Sequence, residues 1–260
     1  MGVAQIQFYS QALGRRTTYN AILPDTGSGP FPVLLQLHGL YDDHDSWIHK
    51  TKLVHYVADM QLIVILPDGA TSAYLDWHSN NERLDRQNYE TMIVDDLWHE
   101  VHRNLHVDDQ KWAIGGLSMG GYGALNAVGG GFTQAGVDLA WGVPGGLLAV
   151  RQAGNADYLA SMDERIKAVV ALAPWGRNAG FWDAETLAGI TLPVLFVAGD
   201  KDNVSGYENG TRLIFEEATN ADRYLLTFAN ARHNVAPNPP PAEAYGNAVE
   251  FSHFSEAVWD

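Results

Sequence analysis

The stretch 111-KWAIGGLSMGGYGALNAV-128 decides the fold. KWAIGG reads as a strand, and MGGYGALNAV reads as a helix. Ser118 falls at their junction, with Gly116 and Gly120 two residues away on either side. Glycine weakens a helix, so its use here points to a backbone bent too tightly for side chains. A serine at such a bend takes a strained conformation and lifts its hydroxyl clear of the sheet, in the pattern G-x-S-x-G. Gly121 and Gly123 would let the helix approach neighbouring strands.

The surrounding chain repeats this strand-to-helix rhythm. VLLQLH (33–38) and LIVILP (62–67) are short apolar runs, as expected of strands buried on both faces. Between them, SWIHKTKLVHYVADM (46–60) carries helical spacing at Trp47, Leu53, Val54 and Val57. NYETMIVDDLWHEVHRNL (88–105) reads as one long helix with Met92, Ile93, Leu97, Val101 and Leu105 as its stripe. Further strands are predicted at IKAVVALAP (166–174), LPVLFVAGD (192–200) and RYLLTFA (223–229). YENGTRLIFEEAT (207–219) and EAYGNAVEFSHFSEAVW (243–259) are read as helices. QIQFYS (5–10) and RRTTYNAIL (15–23) alternate and are joined by a short turn. The expected fold class is α/β: one domain over 1–260, a mostly parallel doubly wound sheet with an antiparallel N-terminal edge. Residues 129–165 are long for a connection and read as an insertion, either a lid or a packed surface excursion.

Composition narrows the function. Hydrophobic residues make up 46% of the 260, enough for a substantial core. A net charge of −15 disfavours nucleic acid or an anionic membrane as partner, since both would be repelled. The absence of cysteine excludes disulfides and thiol catalysis. No apolar run approaches the ~18 residues of a membrane helix. The N-terminus does not read as a signal peptide. A cytoplasmic location is therefore expected, with secretion open if a leader had been removed; a homo-oligomer also stays open.

A serine hydroxyl needs a base, and the base needs a carboxylate. Both are expected in loops after later strands. After the strand ending at Gly199 stand Asp200 and Asp202; Asp202 is preferred because it lies further into the loop. After RYLLTFA comes His233, the one histidine between Asp202 and the tail helix. His253 in that helix reads as a surface or packing residue. Stabilising a developing oxyanion takes two backbone N–H groups. Met119 supplies one, and the loop His38-Gly39-Leu40 the other, with Leu40 the choice and Tyr41 the alternative. His38 is read as organising that loop.

These features resemble the α/β-hydrolase superfamily over nearly the whole chain. LLQLHGLYDDHDSW, LIVILPD, NYETMIVDDL and GLSMGGYGAL are similar to the esterase family that includes tributyrin esterases and S-formylglutathione hydrolases. IKAVVALAPW, LPVLFVAGDKDNV and HNVAPN resemble polyester hydrolases and dienelactone-hydrolase relatives. The latter use a cysteine nucleophile, so their activity is not implied. The resemblance implies a serine esterase for small to medium acyl or aryl esters, needing no cofactor, with a thioesterase or polyester hydrolase as alternative. It also places Trp175 at the substrate cleft. Tyr41, Trp141 and Trp182 lie in loops that could rim the same cleft, whereas Trp47, Trp98 and Trp112 are expected in the core. A non-catalytic binding protein on the same scaffold is the competing class.

Two other clusters gather ligating residue types. His99-Glu100-Val101-His102 with His106 would share one helix face, but it is one residue short of His-Glu-x-x-His and reads as a polar outer face. Asp42-Asp43-His44-Asp45 lacks a calcium-loop signature and reads as a solvated turn. No metal site is assigned.

Overall fold

The computed structural model describes residues 1–77, 87–139 and 144–235. Among the described residues the strands are β1 (Gly2–Ser10), β2 (Arg15–Leu23), β3 (Phe31–Leu37), β4 (Ile63–Pro67), β5 (Asp76–Trp77), β6 (Gln87–Asn88), β7 (Val107–Leu117), β8 (Ile166–Leu172), β9 (Val194–Gly199) and β10 (Arg223–Phe228). Eight form one sheet in the order β1-β2-β4-β3-β7-β8-β9-β10; β5 and β6 pair separately. β1 runs antiparallel to β2, and β2 to β4. From β4 to β10 every neighbouring pair is parallel. The expected antiparallel N-terminal edge and parallel body are both present.

β4 shows why a strand can be apolar at every position. Ile63 and Ile65 pack into one core layer, and Val64 and Leu66 into the other. Strand side chains alternate across the sheet, so a strand covered on both faces needs apolar residues throughout. The larger layer includes Met92, Leu97 and Val101 from the helical run 89–104, Leu125 from α5 (Met119–Asn126) and Ile214 from the helix Arg212–Glu217. The smaller layer gathers Trp47 and Val57 against Ile22, Leu66 and Leu117.

Three expectations about elements change. The segment 46–60 forms two separate four-residue turns, Ser46–His49 and Leu53–Tyr56. The Thr51 hydroxyl accepts from the Leu53 amide and also donates to the Trp47 carbonyl, which breaks the run. The segment 89–104 is continuous, but Met92–Leu97 winds as a π-helix. The helical run 207–217 likewise opens with a π segment, in which Gly210 is non-helical. The predicted tail helix with His253, and Trp141, lie outside the described residues.

The described part of 129–165 is anchored to the body. Phe132 is buried, the Thr133 amide donates to the Phe181 carbonyl at 2.9 Å, and the Tyr158 hydroxyl donates to the Asn126 carbonyl at 2.5 Å.

Because β3, β7, β8, β9 and β10 are parallel, their C-terminal ends share one edge of the sheet. Ligands of open α/β sheets bind outside this edge. Backbone strain gathers there too. Seven non-glycine residues among those described have positive φ; Tyr41, Ala70, Ser118, Ala173 and Asn230 each follow the C-terminal end of a strand within four residues. Such strain costs on the order of 1–3 kcal/mol per residue and persists where surrounding structure enforces it, most often at functional sites.

Candidate active site

Ser118 joins β7 to α5 with φ 54° and ψ −107°. Its amide donates to the Leu172 carbonyl at 2.9 Å, and its own carbonyl accepts from Tyr122 at 2.9 Å and Trp175 at 3.3 Å. Three backbone hydrogen bonds thus enforce the bend. The flanking glycines are required by contact. A Cβ on Gly116 would lie 2.6 Å from the Gly120 carbonyl oxygen, and one on Gly120 would lie 2.6 Å from that of Leu37.

Gly120→Ala therefore reverses the usual sign. Alanine in a helix normally stabilises by about 1 kcal/mol over glycine. Here the added methyl meets backbone of β3, and overpacking of this kind costs roughly 1–3 kcal/mol. The expected result is a lower melting temperature, by about 2–4 °C per kcal/mol lost, read by thermal unfolding followed by circular dichroism.

His233 and Asp202 meet on the loops after β10 and β9. His233 Nδ1 lies 3.0 Å from Asp202 Oδ1 and 3.1 Å from Oδ2, and both residues are buried. Oδ1 also accepts from the amides of Val204 and Ser205, each at 2.9 Å. Burial works against ionisation of Asp202, but the hydrogen bond and charge of His233 and the two amides outweigh it, holding the carboxyl below its ordinary range. An ionised carboxylate can only accept, so Nδ1 carries the proton and Nε2 the basic lone pair. The two loops are tied: the Lys201 amide donates to the Ala231 carbonyl at 2.9 Å, and Gly199 sits where a Cβ would be 2.6 Å from the Arg232 carbonyl oxygen. Asp200, the other carboxylate considered, has a buried Oδ1 with no hydrogen-bond partner and does not face His233 in a hydrogen bond.

His38 follows β3 and is 1% exposed. Its Nδ1 lies 2.7 Å from the Gly39 carbonyl, and Nε2 accepts from the Gly69 amide at 2.9 Å. Burial lowers its pKa, so the ring stays neutral and bridges two loops. Tyr74, which the sequence did not flag, donates its hydroxyl to the His38 carbonyl at 2.9 Å. Beyond it Gly39 accepts from Asp42 across a turn, with Leu40 and Tyr41 at its centre; Tyr41 has φ 65° and is 84% exposed. Leu40 is also exposed. Met119, Gly120 and Gly121 precede the first intrahelical bond of α5, from Tyr122 to Ser118. Their amides stand at the partially positive end of the helix.

Trp175 is half-buried, its ring 5.5 Å from Phe181 edge to face. Trp182, in contrast, does not rim a cleft: it is 1% exposed and donates to the Gly130 carbonyl at 2.8 Å.

Neither alternative cluster assembles. The helix ends at Asn104 and Leu105 is extended, so His106 leaves the face of His99 and His102. His102 stacks on Trp98 and Trp112 rather than facing outward, and bonds to Asp109. In the acidic turn, Asp42 pairs with Lys50, Asp43 with Ser46, and Asp45 with Asn20. The group of three or more ligating side chains that a metal ion needs is absent among the described residues, as is a helix long and apolar enough to cross a membrane.

Sheet order, strained elbow and loop arrangement together are those of the α/β-hydrolase fold. Residues 10–129 match the family model described as "Putative esterase". The chain is 35% identical over 138 residues to an acetyl esterase of Caldicellulosiruptor saccharolyticus, covering 48% of this chain and 50% of the relative. It is 32% identical over 135 residues to an S-formylglutathione hydrolase of Paracoccus denitrificans, covering 45% and 48%. In each case the match spans about half the length of the curated relative. An S-formylglutathione hydrolase from Agrobacterium tumefaciens superposes with a TM-score of 0.65 at 19% identity, over 89% of this chain and 88% of that one.

Proposed function

We propose that the chain is a serine carboxylic-ester hydrolase in which Ser118 is the nucleophile, His233 the general base and Asp202 the orienting acid. The observation that carries this is a continuous connection between the strained serine and a preformed acid–histidine pair. Trp175 N–H holds the Ser118 carbonyl, Ser205 Oγ holds the Ala173 carbonyl two residues before Trp175, and Ser205 N–H holds the Asp202 carboxylate that receives His233.

In the acylation step Ser118 Oγ attacks the ester carbon while His233 Nε2 takes the hydroxyl proton. Asp202 stabilises the imidazolium and keeps Nδ1 protonated. Met119 and Leu40 amides receive the negative oxygen; such donors are worth about 2.7–4 kcal/mol each in related chemistry. The imidazolium returns its proton to the departing alcohol. Water, deprotonated by His233, then attacks the acyl-enzyme and releases the acid. Trp175, beside the nucleophile, and the exposed Tyr41 on the facing loop supply apolar surface for small to medium acyl or aryl groups. No step requires a cofactor.

A fluorophosphonate probe tests the assignment directly. Labelling is expected at one site, mapped to the peptide carrying Ser118, together with hydrolysis of p-nitrophenyl acetate. An unlabelled protein, or a label elsewhere, refutes it and favours the binding-protein alternative. A panel of acyl esters from acetate to laurate, with thioester and polyester controls, ranks the substrate classes; the preference expected is for short acyl or aryl oxygen esters.

A further inference from the structure

We infer that Ser205 is a positioning residue that fixes the acid loop and the nucleophile's neighbouring loop in one geometry. The inference rests on the serine-hydrolase assignment above. Ser205 is fully buried although its side chain is polar. Its backbone amide donates to Asp202 Oδ1 at 2.9 Å, and its hydroxyl donates to the Ala173 carbonyl at 2.7 Å. One residue therefore bonds the loop after β9 to the loop after β8.

Ala173 is the residue that needs such a restraint. It has φ 44°, a conformation that an alanine leaves unless it is held. Its amide is fixed to the Val197 carbonyl at 2.7 Å, and its carbonyl is fixed by Ser205. Two residues later, Trp175 N–H reaches the Ser118 carbonyl. A second bond joins the same loops near the surface, from the Asn178 amide group to the Val204 carbonyl at 3.1 Å. Of these two bonds the Ser205 one is buried, so it competes less with water.

Removing the hydroxyl leaves the buried Ala173 carbonyl without its donor and frees the strained peptide to relax. The Ser205 amide then no longer holds Asp202 in register with His233. A loosely held carboxylate stabilises the imidazolium less. Proton transfer from Ser118 to His233 is then less well supported, and kcat falls while substrate binding is kept.

The experiment uses Ser205→Ala, together with Ser205→Thr and Ser205→Val, which differ from each other only in hydroxyl against methyl. Rates are counted per serine titrated with the fluorophosphonate, so a smaller folded fraction alone leaves kcat unchanged. The expected result is a kcat per titrated site about 10-fold lower in the alanine variant, in line with small misplacements of catalytic groups, with KM for p-nitrophenyl acetate little altered. Threonine exceeds valine by roughly 5-fold or more. Wild-type kcat per site in the alanine variant, or equal rates for threonine and valine, overturns the inference. Failure of the parent protein to label at Ser118 overturns the underlying assignment instead, so the two failures are distinguishable.

Discussion

Ser118→Ala is expected to lower the kcat for p-nitrophenyl acetate by roughly 10⁵-fold and to abolish fluorophosphonate labelling. On the proposed assignment this variant keeps only the oxyanion donors and binding, which elsewhere retain about 10³–10⁴ over the uncatalysed reaction. The size of the loss matters, because a hydroxyl that merely capped α5 would cost about 1 kcal/mol of stability and little rate. Ser118 makes no side-chain capping bond to that helix, so the alanine variant should melt close to the parent.

Glycine at the same position separates strain from chemistry. At φ 54° and ψ −107° a residue with a Cβ is strained, and glycine is not. Ser118→Gly should be as inactive as alanine but more stable, by about 1 kcal/mol once the unfolded-state entropy of glycine is set against the relieved strain. Thermal unfolding of the three proteins side by side checks it. If glycine does not exceed alanine in melting temperature, the elbow is not held under strain.

How much of this was legible beforehand depends on the range of the interactions involved. β2 occupies the whole of the predicted RRTTYNAIL, and β4 and β8 follow their apolar runs closely, because burial on one or both faces is written into the local pattern. The elbow was legible for the same reason: the glycines that permit the turn are its sequence neighbours. Asp202 could be preferred over Asp200 only by its place in the loop; the pairing with His233 depends on how two loops 31 residues apart come together. The break within 46–60 was missed because it rests on a threonine hydroxyl inside a helical-looking pattern. The burial of Trp182 was not legible, because no periodic pattern marks a loop tryptophan as core, and its partner, the Gly130 carbonyl, is 52 residues away. Asp202-x-x-Ser205 does have a local signature, an aspartate side chain accepting amides two and three residues on. What the serine hydroxyl reaches, at Ala173, has none.

Asp202→Asn carries the second large effect and tests the acid separately from the nucleophile. The asparagine oxygen can still accept from the Val204 and Ser205 amides, so the loop keeps its shape. Its NH₂ group then faces His233 Nδ1, which must become an acceptor; the ring proton moves to Nε2, the atom required to take the serine proton. The expected loss in kcat is about 10⁴-fold, as for an inverted tautomer in an analogous triad. Asp200→Asn should change kcat by less than about 3-fold, since that carboxylate does not bond to the histidine. Stability supplies an independent readout with a definite sign. Folding holds the Asp202 carboxyl below its ordinary range. Its ionisation therefore stabilises the fold above the unfolded-state value of about 4, and this contribution disappears as pH falls through the depressed folded value. Asparagine lacks it at every pH. The melting-temperature gap between parent and Asp202→Asn should be widest near neutrality and narrow as the pH falls from about 4 toward 2. A gap that stays constant over this range, or a variant that keeps most of its kcat, would remove Asp202 from the role assigned to it and return Asp200 to consideration.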